Sequence, residues 1–353
     1  MPNIFDFTFE ELVSYFQDEL KEPSFRATQV WQWLYQKLCF DFAQMSNLKI
    51  AIREHLAKTF AHNLPKIKQV RTSSDGTQKL LLELDDSALI ETVLIPATDH
   101  AGKVRYAQCL STQVGCPMGC TFCATGSLGF ERNLTHGEMV AQVLLARSFL
   151  GDSRPDHPII KNLVFMGMGE PLLNLEQLLK TLKTLNSPQG LAFSPRRITV
   201  STCGIKNALD PLGESGLCYL AISLHAPNQD LRAKIMPKAA NFQLPDLLKA
   251  LKKYPLKPRE YLTFEYLLLG GVNDSTTHAL ELAKIVQSVK GKLNLIVYNE
   301  TANAPYKAPS TEAVLKFEQV LWDKKITAIV RQSKGSDIEA ACGQLRAKYL
   351  QET

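Results

Sequence analysis

Long apolar runs are missing from this 353-residue chain; none approaches the roughly 18 residues that a membrane-spanning helix needs. An export signal is missing too. The opening MPNIFDFTFEEL is acidic and amphipathic rather than basic and then apolar, so a cytoplasmic protein is expected. Internal repeats and low-complexity tracts are absent, which leaves no basis for a repeat array. A dominant charge of one sign is lacking as well, the net charge being +5. Residues 1–85 carry 10 Lys/Arg against 11 Asp/Glu, and the remainder 30 against 24. That balance admits an acidic partner such as RNA without requiring one, and an ordinary solvated surface explains it equally.

What is present points to a sizeable globular protein. Apolar residues make up 45% and charged residues 21%, which excludes global disorder. The length fits two domains, or one barrel of about 250 residues with an appendage. Eight cysteines occur, at 39, 109, 116, 120, 123, 203, 218 and 342. Without an export signal they are expected to be reduced, so metal binding or catalysis is favoured over a disulfide scaffold. Four of them fall within residues 109–123.

The first 65 residues read as helical. Thr8 and Glu11 have capping-box spacing, and Leu12, Val13, Phe16 and Leu20 follow with helical period. Further helices are expected over Phe25–Leu38 and Ser46–Phe60, with Pro65 closing the region. So small a unit should pack on something larger. From Lys66 the texture changes. Strands are expected over Lys79–Leu84 and Ala88–Ile95, joined by a short acidic turn. Strand and helix patterns then alternate: strands near 106–113, 159–165, 198–201, 218–223, 261–268, 293–297 and 327–331, helices near 135–150, 175–185, 243–253, 275–289 and 311–324. The fold class expected is therefore α/β, a partial or full (βα) barrel, with an N-terminal all-α accessory domain. The expected divisions are residues 1–65, a linking β-hairpin region at 66–104, and a catalytic barrel at 105–353. Functional residues should lie just after the strands.

The sharpest motif is Cys116-Pro-Met-Gly-Cys120-Thr-Phe-Cys123. Three thiols so close, on a loop after a strand, can face one soft centre. A closed structural zinc site would want a fourth protein ligand, whereas a 4Fe-4S cluster held by three cysteines keeps one iron open. Three inert buried cysteines are the competing reading. Gly167-Met-Gly169-Glu170-Pro171 follows a strand; its glycines allow close backbone approach, and its carboxylate can accept from an amino group. Ser201, the run Ser223-Leu224-His225, and Asn299 each follow later strands, where a cap or loop role is the plain alternative. Cys342 sits among small residues in Gly335-Ser-Asp-Ile-Glu-Ala-Ala-Cys342-Gly-Gln-Leu345. Core filling is its ordinary reading, although small neighbours also leave a thiol accessible.

Taken together, these motifs resemble the RlmN/Cfr family of radical S-adenosylmethionine (SAM) RNA methyltransferases, over nearly the whole chain. Pro23–Val30 resembles the family's accessory helical domain, Ile90–Pro96 its first catalytic strand, and Cys109 with Gln113–Cys116 its approach to the cluster. The helical domain looks like the RlmN branch rather than the Cfr branch. The loop at 97–106 looks longer than usual, and Ser336 stands at a variable position; neither touches a proposed ligand.

The resemblance implies methylation of C2 of adenosine 2503 in 23S rRNA and, in some members, C2 of adenosine 37 in tRNA. It implies a 4Fe-4S cluster on Cys116, Cys120 and Cys123, with SAM on the open iron and two SAM consumed per turnover. SAM contacts are implied for Gly169, Glu170, Ser201, Ser223, Leu224, His225 and Asn299. C2 of adenine is electron-poor and cannot attack a methylsulfonium, a difficulty that radical chemistry avoids. By this analogy Cys342 takes a methyl group, becomes a carbon radical and adds to C2. Glu91 accepts the C2 proton, and Cys109 attacks the Cys342 sulfur, forming a transient disulfide that frees the product. Without the resemblance, Glu91 would read as a solvent-facing strand residue. The implied partners are 23S rRNA, tRNA and a reducing donor such as flavodoxin or ferredoxin, with the protein a monomer and no membrane involved. Arg26, Arg53, Lys66, Lys68 and Arg71 are expected to grip RNA phosphates. The rival readings are Cfr-like methylation at C8, a non-catalytic iron–sulfur RNA-binding protein, and a radical SAM enzyme acting on a small molecule. The paired Cys109 and Cys342 disfavour the second, and the helical domain the third.

Overall fold

The structure, a computed structural model, describes residues 1–152, 158–300 and 305–345. At the N-terminus lie α1 (Phe9–Asp18), α2 (Phe25–Tyr35) and α3 (Ile50–Thr59). The capping box forms as expected: Thr8 Oγ1 accepts from Glu11 N at 3.2 Å, and Glu11 Oε2 accepts from Thr8 N at 2.8 Å. The second helix ends three residues short of Leu38, which adopts φ 52°, a left-handed conformation that no continuing helix contains. These helices share a core built on Leu12, Phe16, Trp31, Leu34 and Leu56. Val140 and Leu144 of the catalytic region complete it. The small unit therefore packs on something larger, as its size requires.

Next come β1 (Lys66–Thr72), β2 (Gln78–Glu83), β3 (Leu89–Thr98) and β4 (Val104–Cys109), all antiparallel in sequence order. Thus 66–104 is more than a linking hairpin: its three strands continue the main sheet. A separate ribbon of β5 (Gln113–Gly115) and β6 (Phe130–Asn133) brackets α4 (Ala124–Ser127). The strand expected to run to Gln113 thus stops at Cys109. Six helical crossovers follow, each returning to a parallel strand. They run α5 (His136–Phe149), β7 (Ile160–Phe165), α6 (Leu175–Asn186), β8 (Ile198–Thr202), α7 (Leu209–Ser215) and β9 (Tyr219–Ser223). After these come α8 (Gln229–Ile235), α9 (Leu244–Lys253), β10 (Leu262–Leu268), α10 (Thr276–Ser288), β11 (Gly291–Val297), α11 (Thr311–Asp323) and β12 (Ala328–Arg331).

The main sheet runs β1-β2-β3-β4-β7-β8-β9-β10-β11-β12, parallel from β4 onward. No pairing joins β12 to β1 among the described residues, so the barrel is partial. The C-terminal segment spans from one edge of the sheet to the other. Leaving β12, it meets the β1–β2 turn, where Gly335 N donates to Asp75 Oδ2 at 3.0 Å and Ser73 Oγ to Asp337 Oδ1 at 2.6 Å. It then reaches α4, where Ala124 N donates to Gly343 O and Thr125 Oγ1 to Leu345 O, both at 2.7 Å. No helix among the described residues is long and apolar enough to cross a membrane.

Candidate active site

The three clustered cysteines occupy the loop from β5 to α4. Backbone bonds fix it from three sides: Cys116 N to Gly129 O at 2.7 Å, Thr121 N to Ile235 O at 3.0 Å, and Ala124 N to Gly343 O. Cys116, Cys120 and Cys123 all line one cavity at the C-terminal ends of the parallel strands. Burial pushes the Cys116 thiol up to about 11. Burial raises Cys120 still further, and Cys123 and Cys116 add to the effect, so the three thiols share one electrostatic neighbourhood. A bound cation inverts that logic and deprotonates them. Among the described residues no three His, Cys, Asp or Glu side chains converge as for a single ion. Three soft thiols on one cavity wall fit an iron–sulfur cluster.

Facing the thiols is the turn after β7. Gly169 has φ 107°, and a Cβ there would stand 2.7 Å from the Gln113 side chain, so only glycine fits. Glu170 is buried at the cavity wall, and its carboxylate accepts from Thr202 Oγ1 at 2.6 Å, Cys203 N at 2.9 Å and Leu172 N at 3.0 Å. Burial raises its affinity for a proton, and these three donors oppose that. Ser201 and Ser223, on neighbouring strands, place their hydroxyls 3.2 Å apart. His225 Nδ1 accepts from Leu267 N at 3.0 Å. Burial, aided by the Arg232 charge, lowers this imidazole to about 3, so it is a neutral acceptor.

Cys342 opens onto the same cavity. Although accessible to solvent, its crowded surroundings push the thiol up to about 11 by desolvation, with Glu265 and Cys123 adding to the rise. Cys109, at the buried end of β4, is raised by burial, and the Cys342 charge adds to the rise. Both are free thiols rather than a disulfide. Glu91 on β3 is 3% exposed and ion-paired with Lys79 at 3.0 Å, so the solvent-facing alternative does not hold.

The structure thus gathers the cysteine triad, Gly169, Glu170, Ser201, Ser223, His225 and Cys342 on one cavity. Cys109, Glu91, Leu224 and Asn299 are not part of its lining. Leu224 is buried behind it, and Asn299 Nδ2 donates to Ser333 Oγ at 2.8 Å. Among the expected phosphate contacts, Lys68 pairs with Glu83 and Arg71 with Glu339, while Arg26 and Arg53 donate to the carbonyls of Asn47 and Ala43. Lys66 is exposed. Sequence reasoning missed Glu265, Cys203 and Met236, all of which line the cavity. A lone acid inside the apolar strand LTFEYLL was the available signal for Glu265, which accepts from Asn294 Nδ2 at 2.8 Å.

Comparison with known proteins adds to this geometry. Residues 110–283 match the Radical SAM superfamily, and residues 2–61 match the ribosomal RNA large subunit methyltransferase N-terminal domain. The chain is 61% identical over 351 residues to the dual-specificity RNA methyltransferase RlmN of Nitratidesulfovibrio vulgaris (strain DP4), covering 99% of this chain and 96% of that one. It is 57% identical over 353 residues to the protein of that name from Lawsonia intracellularis (strain PHE/MN1-00), covering 100% of this chain and 99% of that one. The crystal structure of a radical SAM methyltransferase from Sphaerobacter thermophilus superposes with a TM-score of 0.90 at 39% identity, covering 99% of this chain and 100% of that one.

Proposed function

This chain belongs to the RlmN family of radical SAM RNA methyltransferases, and from that premise we propose that it methylates C2 of adenosine in 23S rRNA and tRNA, at positions 2503 and 37. The observation that carries the reading is that Cys342 and the three clustered cysteines line one cavity.

Cys116, Cys120 and Cys123 would hold the cluster. When bound, cluster and SAM together supply the methyl group and the radical chemistry that an electron-poor carbon requires. Glu170, Ser201, Ser223 and His225 shape the SAM side of the cavity, and Glu170 keeps its carboxylate oriented through the Thr202 and Cys203 bonds. Cys342 carries the one-carbon unit from the cavity to the base. Glu91 takes the C2 proton. Cys109 then attacks the Cys342 sulfur; the disulfide forms as the sulfur–carbon bond breaks, and the departing carbon, which keeps that electron pair, takes a proton to become the methyl group. The helical domain contributes to RNA binding, and an unpaired target base costs least to present. The protein works as a cytoplasmic monomer with a flavodoxin or ferredoxin as reductant.

The test is mass spectrometry of 23S rRNA nucleosides from a deletion strain, with and without this gene. 2-Methyladenosine restored by the gene is the expected result. A dominant 8-methyladenosine product, or no change, overturns the assignment.

A further inference from the structure

Arg232, on α8, is 0% exposed and lies behind the cavity wall rather than in it. Its Nη1 donates to Leu224 O at 3.1 Å and its Nη2 to Cys203 O, while its Nε is buried with no hydrogen-bond partner among the described residues. Among the described residues no carboxylate forms an ion pair with it. Glu170 is held on the other side of Cys203: Cys203 N donates to Glu170 and Cys203 O accepts from Arg232. A buried guanidinium without a contacting counter-ion is costly by several kcal/mol, so an anion must be sought nearby.

The packing shows where. Arg232 precedes Ile235 by one helical turn, and the Ile235 carbonyl accepts both Thr121 N, at 3.0 Å, and Thr121 Oγ1, at 3.3 Å. Thr121 directly follows Cys120. Met236, whose sulfur lies 3.9 Å from Arg232 Nη1, and Cys203 belong to the apolar cluster packed against Cys116, Cys120 and Cys123. Burial lowers the affinity of this guanidinium for its proton, and Cys203, Cys120 and Glu170 oppose that. Helix α8 is thus bonded to the triad loop at one end and carries a fixed positive charge just behind it.

We propose that Arg232 is the built-in counter-charge of the cluster, a positioning residue that raises the cluster's reduction potential without touching substrate. The inference rests on the cluster assignment above. A cluster on three thiolates is anionic and becomes more so on reduction, so a fixed cation nearby favours the reduced state. Net charge and hydrogen bonding are established determinants of such potentials.

The experiment is an EPR-monitored redox titration of the anaerobically reconstituted full-length protein, without SAM, for wild type, Arg232→Gln and Arg232→Lys. The Gln variant should shift the one-electron equilibrium at least tenfold against reduction, about 59 mV more negative. The Lys variant, which keeps the charge but loses the forked donors, should stay near wild type. Equal potentials in wild type and Gln, or a Lys shift as large as the Gln shift, overturn the proposal. Should the Gln variant fail to fold, Arg232→Met, an uncharged side chain of similar reach, takes its place under the same criteria. Wild type without iron would refute the cluster assignment instead, so the two failures are distinguishable.

Discussion

Lys79 Nζ stands 3.0 Å from the Glu91 carboxylate, with the two side chains only 6% and 3% exposed. The same ammonium donates to Glu339 O at 3.0 Å. One buried cation therefore ties the proposed proton acceptor to the segment that carries Cys342. Glu339 itself sits at φ 54°, a left-handed conformation that the surrounding bonds must hold.

Lys79→Met removes this tie and leaves a buried carboxylate without its cation, a change that typically costs about 3–5 kcal/mol. Thermal unfolding should shift downward accordingly. At a temperature where the variant remains folded, single-turnover RNA methylation should fall more than tenfold with iron content unchanged. Wild-type stability and rate in this variant would show the pair to be incidental.

Glu170→Gln tests the SAM side of the cavity. A glutamine amide places donors where Leu172 N, Thr202 Oγ1 and Cys203 N now donate, and it cannot accept from all three. Charge-assisted bonds contribute about 1.5–3 kcal/mol each, so SAM affinity should weaken about tenfold or more. Equilibrium dialysis against the reconstituted protein measures this. Unchanged affinity would remove Glu170 from the binding machinery.

A pH dependence follows from His136, at the start of α5 beside the helical domain. Burial lowers its pKa, partly offset by Asp6 and Glu11, while Lys180 lowers it further. Its Nε2 lies 2.9 Å from Thr184 Oγ1. Because the folded protein favours the neutral ring, its contribution is complete above the unfolded pKa of about 6.5. It is lost as pH falls below that value. Wild type should therefore lose more thermal stability between about pH 7.5 and pH 5.5 than His136→Gln does. Parallel pH profiles for the two proteins would contradict this.

The site's legibility in the sequence followed from how local each feature is. The triad could be read because its ligands lie within eight consecutive residues. The barrel class could be read because its inner strands, such as LTFEYLL, are mostly apolar and buried on both faces. Strand β1 could not, because KIKQVRT offers only Ile67 and Val70, and Val70 is exposed; this edge strand shows no buried stripe. Arg232 and Lys79 were invisible for a different reason. Each is an ordinary basic residue in sequence, and only the fold brings it against Cys203 or Glu91. Helices α7 and α8, seven residues each, are too short for a periodic pattern to mark.

The central question is whether Cys342 carries carbon to RNA and Cys109 releases it, two thiols 233 residues apart in sequence. Denaturing gels with labelled RNA answer it for Cys109→Ala, Cys342→Ala and the double variant, each reconstituted with iron and given SAM and reductant. A slow protein–RNA band should accumulate in Cys109→Ala alone, because the adduct forms there and cannot be resolved. The double variant should match Cys342→Ala, which has no carrier. Normal turnover by Cys109→Ala, or a covalent band in Cys342→Ala, would contradict the mechanism.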